Sequence, residues 1–225
     1  MKTIVITGAN KGIGLATALL FLENGWKVFG TYRQSIPSID HENFFPIPLD
    51  LTSAENIRHA VALIRTYTPS IDALVNNSGI LNDAQDGRPN IPRLQQTFAV
   101  NVFGTIDFTE ELLPLVSEGG HILCIGSIMG ASTYAIDGRY AYGYRMSKAA
   151  LHMYVRTLAF RLKENGIIVS ALHPGWVKTE MGESVATDDS HPSREPREAA
   201  EDIYRAIMTV TKAGCFWHNG KEREW

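Results

Sequence analysis

Apolar, β-rich runs alternate with helical patterns along almost the whole chain. The runs "KTIVIT" (2–7), "WKVFGTY" (26–32), "NFFPIPL" (43–49), "DALVNN" (72–77), "HILCIGS" (121–127) and "IIVSALH" (167–173) read as strands. Helix-like patterning lies between and after them, near 13–24, 53–66, 92–117, 141–165 and 197–212. The strand runs show little polar alternation, as expected of strands covered on both faces. Strand and helix in alternation then predict an α/β fold: one domain over 1–225, a doubly wound, mostly parallel sheet with helices on both faces.

Turn chemistry supports these boundaries. Two predicted helices end in the same tripeptide, Glu23-Asn24-Gly25 and Glu164-Asn165-Gly166, each followed by a strand. Glycine just past a helix C-terminus accepts the positive φ that such stops require. Thr52 with Glu55 fits a capping box opening the helix after the third strand. Two stretches read as loops, 81–93 and the polar, Ser-, Asp- and Pro-containing 180–198. A loop that long in a compact domain is functional or disordered, and a lid over a substrate is the expectation for 180–198.

Composition narrows the class. Among 225 residues, 44% are apolar and 20% charged, with a formal net charge of −3. That suits a globular domain with a sizeable core and gives no basic run for nucleic acid or a membrane surface. Cys124 and Cys215 are too few for a disulfide framework, and no Cys/His cluster has metal-ligand spacing. Cys124, inside "HILCIGS", is expected to be a buried thiol. The start "MKTIVITGAN" turns polar too soon for a signal peptide, so a cytoplasmic setting is the default expectation.

The first strand runs straight into "TGANKGIG" (7–14), and a helix pattern follows. Gly8, Gly12 and Gly14 permit a tight turn and close backbone approach, while the helix N-terminus offers N–H groups to a phosphate. In this strand–loop–helix setting, Gly8, Asn10, Lys11, Gly12, Ile13 and Gly14 are expected to hold a nucleotide, which makes the fold Rossmann-type. A glycine turn without a ligand is the plainer alternative. The second strand ends "GTYRQ", with Arg33 where an NAD enzyme would place an acid. Arg33 and Lys11 together favour NADP(H) over NAD(H), although either alone would be an ordinary surface charge.

Of the eight tyrosines, only Tyr144 is followed four residues later by a lysine, Lys148. On a helix the two share a face. A free phenol titrates near pH 10, and a neighbouring ammonium is expected to lower that value. The alternative is a surface pair worth a few tenths of a kcal/mol.

The motifs TGxxxGxG, "LVNNSG" (74–79), "AVNVFG" (99–104), "CIGS" (124–127), YxxxK and "HPGWVKT" (173–179) occur in this order over nearly the whole chain. In this the chain resembles the short-chain dehydrogenase/reductase family. With "YRMSKAAL" and the terminal "GCFWHNGKEREW" it looks like the branch of sniffer-like carbonyl reductases and C-factor-like proteins. The resemblance implies that Tyr144 is the general acid/base, that Lys148 lowers its pKa and holds nicotinamide ribose hydroxyls, and that Ser127 binds the substrate carbonyl oxygen. Asn101 would hold a water behind Lys148. Asp50 and Leu51 would meet adenine, and Asn77 and Gly79 would line the cofactor path. Pro174, Gly175, Val177 and Thr179 would cradle the nicotinamide. Plainer readings remain: Asp50 as a turn residue, Asn77 as a strand stop, Ser127 bonding backbone, and Pro174-Gly175 as only a turn.

Ser127 and Tyr144 stand 17 positions apart, a few more than is usual in the family, so 128–143 is expected to bulge beside the site. The implied activity is NADP(H)-dependent interconversion of a carbonyl compound and its alcohol. The implied assembly is a homodimer or homotetramer through the helices at 92–117 and 141–165. No nucleic-acid or membrane partner is expected. The rival is a nucleotide-binding regulatory or signalling protein whose role needs no turnover.

Overall fold

In the computed structural model, which describes residues 1–135 and 140–225, strands and helices mostly alternate. They are β1 (Thr3–Ile6), α1 (Gly12–Glu23), β2 (Lys27–Tyr32), β3 (Phe44–Pro48), α2 (Ala54–Tyr67) and β4 (Ile71–Asn76). There follow α3 (Ile91–Phe98), α4 (Thr105–Leu112), β5 (Val116–Ile125), α5 (Tyr142–Arg161), β6 (Ile168–Leu172), α6 (Glu180–Glu183), α7 (Pro196–Thr209), β7 (Cys215–His218) and β8 (Lys221–Arg223). All eight strands form one sheet in the order β3-β2-β1-β4-β5-β6-β7-β8. Every pairing is parallel except that of β7 with β8.

The apolar runs explain the layers. Along β1 successive side chains point to opposite faces, and both faces are covered. Ile4 and Ile6 join Phe21, Val28, Val75, Leu123 and Ile203 in the core beneath α1 and α7. Val5 joins Phe29, Leu74, Ile122, Phe108 and Val155 beneath α2, α4 and α5. The chain reverses its direction of winding between β1 and β4, which opens a crevice at the carboxyl ends of the strands.

Both predicted glycine stops take positive φ, +74° at Gly25 and +67° at Gly166. The expected helix at 92–117 is instead α3, a π-helical turn at Ala99–Gly104, α4, a short 3₁₀ turn carrying Pro114 and the first residues of β5. Pro114 has no N–H to continue a helix. Beyond it, β5 shifts register against β4 between Ile71 and Ala73, across the "SEGG" that hides the strand's start in sequence. The cap of α2 is Ser53, whose side chain accepts the Asn56 N–H, while Thr52 bonds Asp50. The β7–β8 hairpin was not predicted, although Asn219 (φ +50°) and Gly220 (φ +70°) form the Asn-Gly turn that marks one.

Cys124 and Cys215 are buried free thiols, and burial pushes Cys124 up to about 11. Among the described residues no helix is long and apolar enough to cross a membrane, and no His/Cys/Asp/Glu group is placed to hold a metal ion.

Candidate active site

The residues singled out in sequence gather at the carboxyl ends of β1, β4, β5 and β6. The glycine loop leaves β1 with Gly8 at φ +68° and Gly12 at φ +55°. Asn77, at the end of β4, donates its side-chain amide to the Thr7 (2.8 Å) and Gly8 (3.3 Å) carbonyls, and its N–H meets Thr7 Oγ1. A Cβ on Gly14 would lie 2.1 Å from the Gly8 carbonyl oxygen, so only glycine lets α1 fold back onto its own loop. The N-termini of α2, α3 and α6 are capped by side chains, but Lys11 gives α1 no such cap. The first amides of a helix need partners from outside it, so Asn10, Gly12 and Ile13 stand at an anion-ready terminus.

Asn101 lies in the π turn, a distortion common at functional sites. The turn aims its buried amide at the segment after β4. Oδ1 accepts the Ile80 N–H (2.8 Å), and Nδ2 donates to the Ile80 carbonyl (2.9 Å) and Ser147 Oγ (3.1 Å). Gly79 lies against both groups: a Cβ on it would sit 3.4 Å from Asn101 Oδ1 and 3.7 Å from Lys148 Nζ, in ordinary contact. At Gly104 an added Cβ would fall 2.0 Å from the Leu51 carbonyl oxygen, which fixes how closely Leu51 packs on the π turn.

On α5, Lys148 is buried, donates to the Ile125 carbonyl at 2.7 Å and holds its ammonium 5.5 Å from the Tyr144 ring centroid. The Ser127 hydroxyl lies close enough to Tyr144 to act on its phenol, and Ser127 Oγ accepts the Met129 N–H at 3.2 Å. Burial pushes the Tyr144 phenol above its ordinary value, opposed by the nearby Ser127 hydroxyl. This corrects the expected lowering by Lys148: burial sets the direction instead. Burial disfavours the charged form of each group, and the same effect brings Lys148 down to about 8.

His152, one turn beyond Lys148, was missed in sequence. Its Nε2 accepts the Ser127 N–H at 3.3 Å, and its ring packs on Phe216 and Trp225 at 4.7 and 5.2 Å. A histidine four positions after the lysine was the available signal.

The proposed 2′-phosphate corner is more crowded than the sequence suggested. Arg33 is exposed. Asp50 lies close enough to feel its charge, but the carboxylate is held below its usual range first by Thr52, whose hydroxyl and N–H it accepts at 2.7 and 2.9 Å. Lys11 is ion-paired with Glu180 of the 180–198 segment. That segment is tied at both ends. Lys178 N–H donates to the Arg194 carbonyl (2.8 Å), Arg194 bonds the Pro174 carbonyl and Asp202, and Trp176 Nε1 donates to the Gly182 carbonyl. Gly175 (φ +82°) lies against Arg194, buried Val177 pairs with it, and Thr179 caps α6. Part of the expected 128–143 bulge, residues 136–139, lies outside the described residues.

Uncapped α1 and the polar groups on both sides of the β1/β4 crevice together fit a dinucleotide laid across the strand ends.

The comparisons with known proteins agree with this arrangement. The short chain dehydrogenase family model matches residues 2–190. Serine 3-dehydrogenase of Agrobacterium fabrum is 31% identical over 216 residues, 93% of this chain and 82% of that protein. C-signal of Myxococcus xanthus is 37% identical over 123 residues, 53% of this chain and 74% of its own length. NADPH-bound carbonyl reductase from chicken fatty liver superimposes with a TM-score of 0.88 at 27% identity, covering 100% of this chain and 94% of that one. Carbonyl reductase Sniffer of D. melanogaster does so with a TM-score of 0.87 at 26% identity, covering all of both chains. With the family's model matched over residues 2–190 and its motifs assembled at one sheet end, this chain belongs to the short-chain dehydrogenases, on the branch that holds Sniffer-like carbonyl reductases and C-signal.

Proposed function

We propose that this oxidoreductase interconverts a small aldehyde or ketone and its alcohol with NADP(H), with Tyr144 as general acid/base. The observation that carries the reading is the hydroxyl pair of Ser127 and Tyr144 beside the buried Lys148 ammonium. A bound nicotinamide supplies the hydride. The chain's own part is to hold the carbonyl oxygen between the Ser127 and Tyr144 hydroxyls and to deliver a proton from the phenol. A phenol raised by burial stays protonated at neutral pH, the form reduction needs. Asn101 fixes the segment that flanks Lys148, and Asn77, Gly79 and Pro174–Thr179 border the groove. The test is consumption of NADPH and NADH, side by side, over a panel of aldehydes and ketones. Turnover with none of them would overturn the reading.

The similarity to C-signal supports a second reading, a nucleotide-binding signalling protein. The same panel separates the two, since that reading predicts cofactor binding without turnover.

Exposed Arg33 at the end of β2 supports the NADP preference, as do NADPH- and NADP-bound structures of the same fold. Arg33→Ala is expected to weaken NADPH about tenfold, the loss of one charge-assisted bond, and to leave NADH within about twofold by calorimetry. An equal loss for both would remove Arg33 from the 2′-phosphate. Because Glu180 neutralises Lys11, the lysine contributes only after that ion pair opens.

The segment 180–198, stapled through Lys178 and Arg194, is the proposed substrate loop. Shortening it between 184 and 191 is expected to raise KM for the carbonyl compound about tenfold, while NADPH affinity stays within about twofold. A change in melting temperature alone, with KM intact, would refute that role.

A further inference from the structure

Helix α5 begins in an unusual way. Its N-cap, Ala141, sits at φ +39°, ψ +50°, the left-handed region that a Cβ disfavours, and an alanine side chain has nothing with which to cap. Elsewhere the chain does this locally: Ser53, Asn90 and Thr179 are extended, and each accepts an amide of its own helix. At α5 the acceptor comes from another part of the chain. Asp83, in the segment after β4 and 60 positions away, takes the Gly143 N–H on Oδ2 at 2.5 Å. Gly143 is the second residue of the helix, and its amide is one that a capping side chain ordinarily takes. Asp83 is fully buried, and among the described residues its Oδ1 has no hydrogen-bond partner. A Cβ on Gly143 would lie 3.1 Å from Asp83 Oδ2 and 3.3 Å from Leu94 Cα, so a side chain there would push the carboxylate back by a few tenths of an ångström. Tyr144 is the next residue.

A buried carboxylate with one oxygen unpaired is costly, and so is a left-handed alanine. Both occur at the first turn of the helix that carries Tyr144. The segment bearing Asp83 also bears Ile80, whose backbone holds Asn101 on both sides, and Asn101 in turn donates to Ser147 of α5. The residues from 79 to 83 therefore tie the π turn and the start of α5 to the end of β4.

We propose that Asp83 is a positioning residue for Tyr144: its carboxylate caps α5 from outside and sets the height of the phenol against Ser127. This rests on the reading of Tyr144 as the acid. A displacement of about 1 Å at a reacting group costs on the order of 10²-fold.

The test uses the full chain and four variants. Asp83→Ala is expected to lose about 10²-fold in kcat, with NADPH affinity unchanged within about twofold. Asp83→Asn keeps an acceptor oxygen and is expected to recover to within about tenfold of the parent. Ala141→Gly, combined with Asp83→Ala, should regain part of kcat, because glycine takes positive φ without strain. Amide exchange, read independently of turnover, should accelerate at 142–145 in Asp83→Ala and not in the rest of α5. Unchanged exchange there would overturn the proposal whatever Tyr144 does. So would a kcat loss matched by equal losses in NADPH affinity and melting temperature with no recovery in Asp83→Asn. If Tyr144→Phe, the fourth variant, keeps its turnover while exchange accelerates as expected, the acid reading fails and the positioning role fails with it, leaving only a helix cap.

Discussion

Tyr144→Phe is expected to lose 10²- to 10⁴-fold in carbonyl reduction, the usual worth of a general acid, while binding NADPH as the parent does. The ring contacts survive the change: phenylalanine still packs beside the Lys148 ammonium, 5.5 Å from the ring centroid. What disappears is one hydroxyl, the one beside Ser127. Because burial raises the phenol and lowers Lys148 to about 8, the parent's reduction rate has a defined shape with pH. Below about pH 8 Tyr144 is protonated and Lys148 charged, and the rate should be level. Above it Lys148 loses its proton and the rate should fall. Steady-state kinetics from pH 6 to 10 checks both statements. Near-parental turnover in Tyr144→Phe would remove the tyrosine from the chemistry.

Acid is expected to unfold this protein by a route separate from its active-site acid. Three histidines are held neutral by burial: His121 and His152 at about 4, and His173 at about 3, where the charges of His218 and Arg194 add to burial. In the unfolded chain each titrates near 6.5. The unfolded state therefore binds more protons through this window, and stability falls as pH drops from about 6.5 toward 4. At pH 5 each histidine accounts for about 2 kcal/mol, or about 6 kcal/mol for the three, against a typical total of 5–15 kcal/mol. Lys148 is protonated in both states at that pH and takes no part. Denaturant melts at pH 7.5 and pH 5 should differ by several kcal/mol. His121→Gln, on β5 far from the strand ends, should flatten the slope by about a third. Equal stability at the two pH values would contradict the burial of these rings as neutral bases.

How much of this was legible in the sequence follows from the range of each interaction. Strands buried on both faces announce themselves as unbroken apolar runs, so β1, β4 and β6 were read correctly from composition within a few residues. Gly25 and Gly166 gave their positions away because the stop is chemical and local. The stretch 92–117 misled because Asn101 and its neighbours keep a helical pattern through a π turn, and Pro114 was not weighed against it. The last hairpin was passed over although Asn219-Gly220 stands between "CFWH" and "KER". At the site, spacing paired Tyr144 with Lys148, and it was the family resemblance that added Asn101 and Ser127. Interactions across long separations were not readable: Asp83 under Gly143, Glu180 on Lys11, and Asp50 beside Arg33. The direction of the Tyr144 shift also escaped, because it depends on how far water is excluded, and spacing carries no information about that.

The two open edges of the sheet resist extension in different ways. On one side β3 places Pro46 and Pro48 at alternate positions, opposite Gly30 and Tyr32, and proline offers no N–H to a further strand. On the other, β8 is three exposed residues, Lys221, Glu222 and Arg223, short and charged as protected edges are. A partly unfolded neighbour thus meets one edge short of donors and another lined with charge. That is a built-in defence against strand-to-strand aggregation.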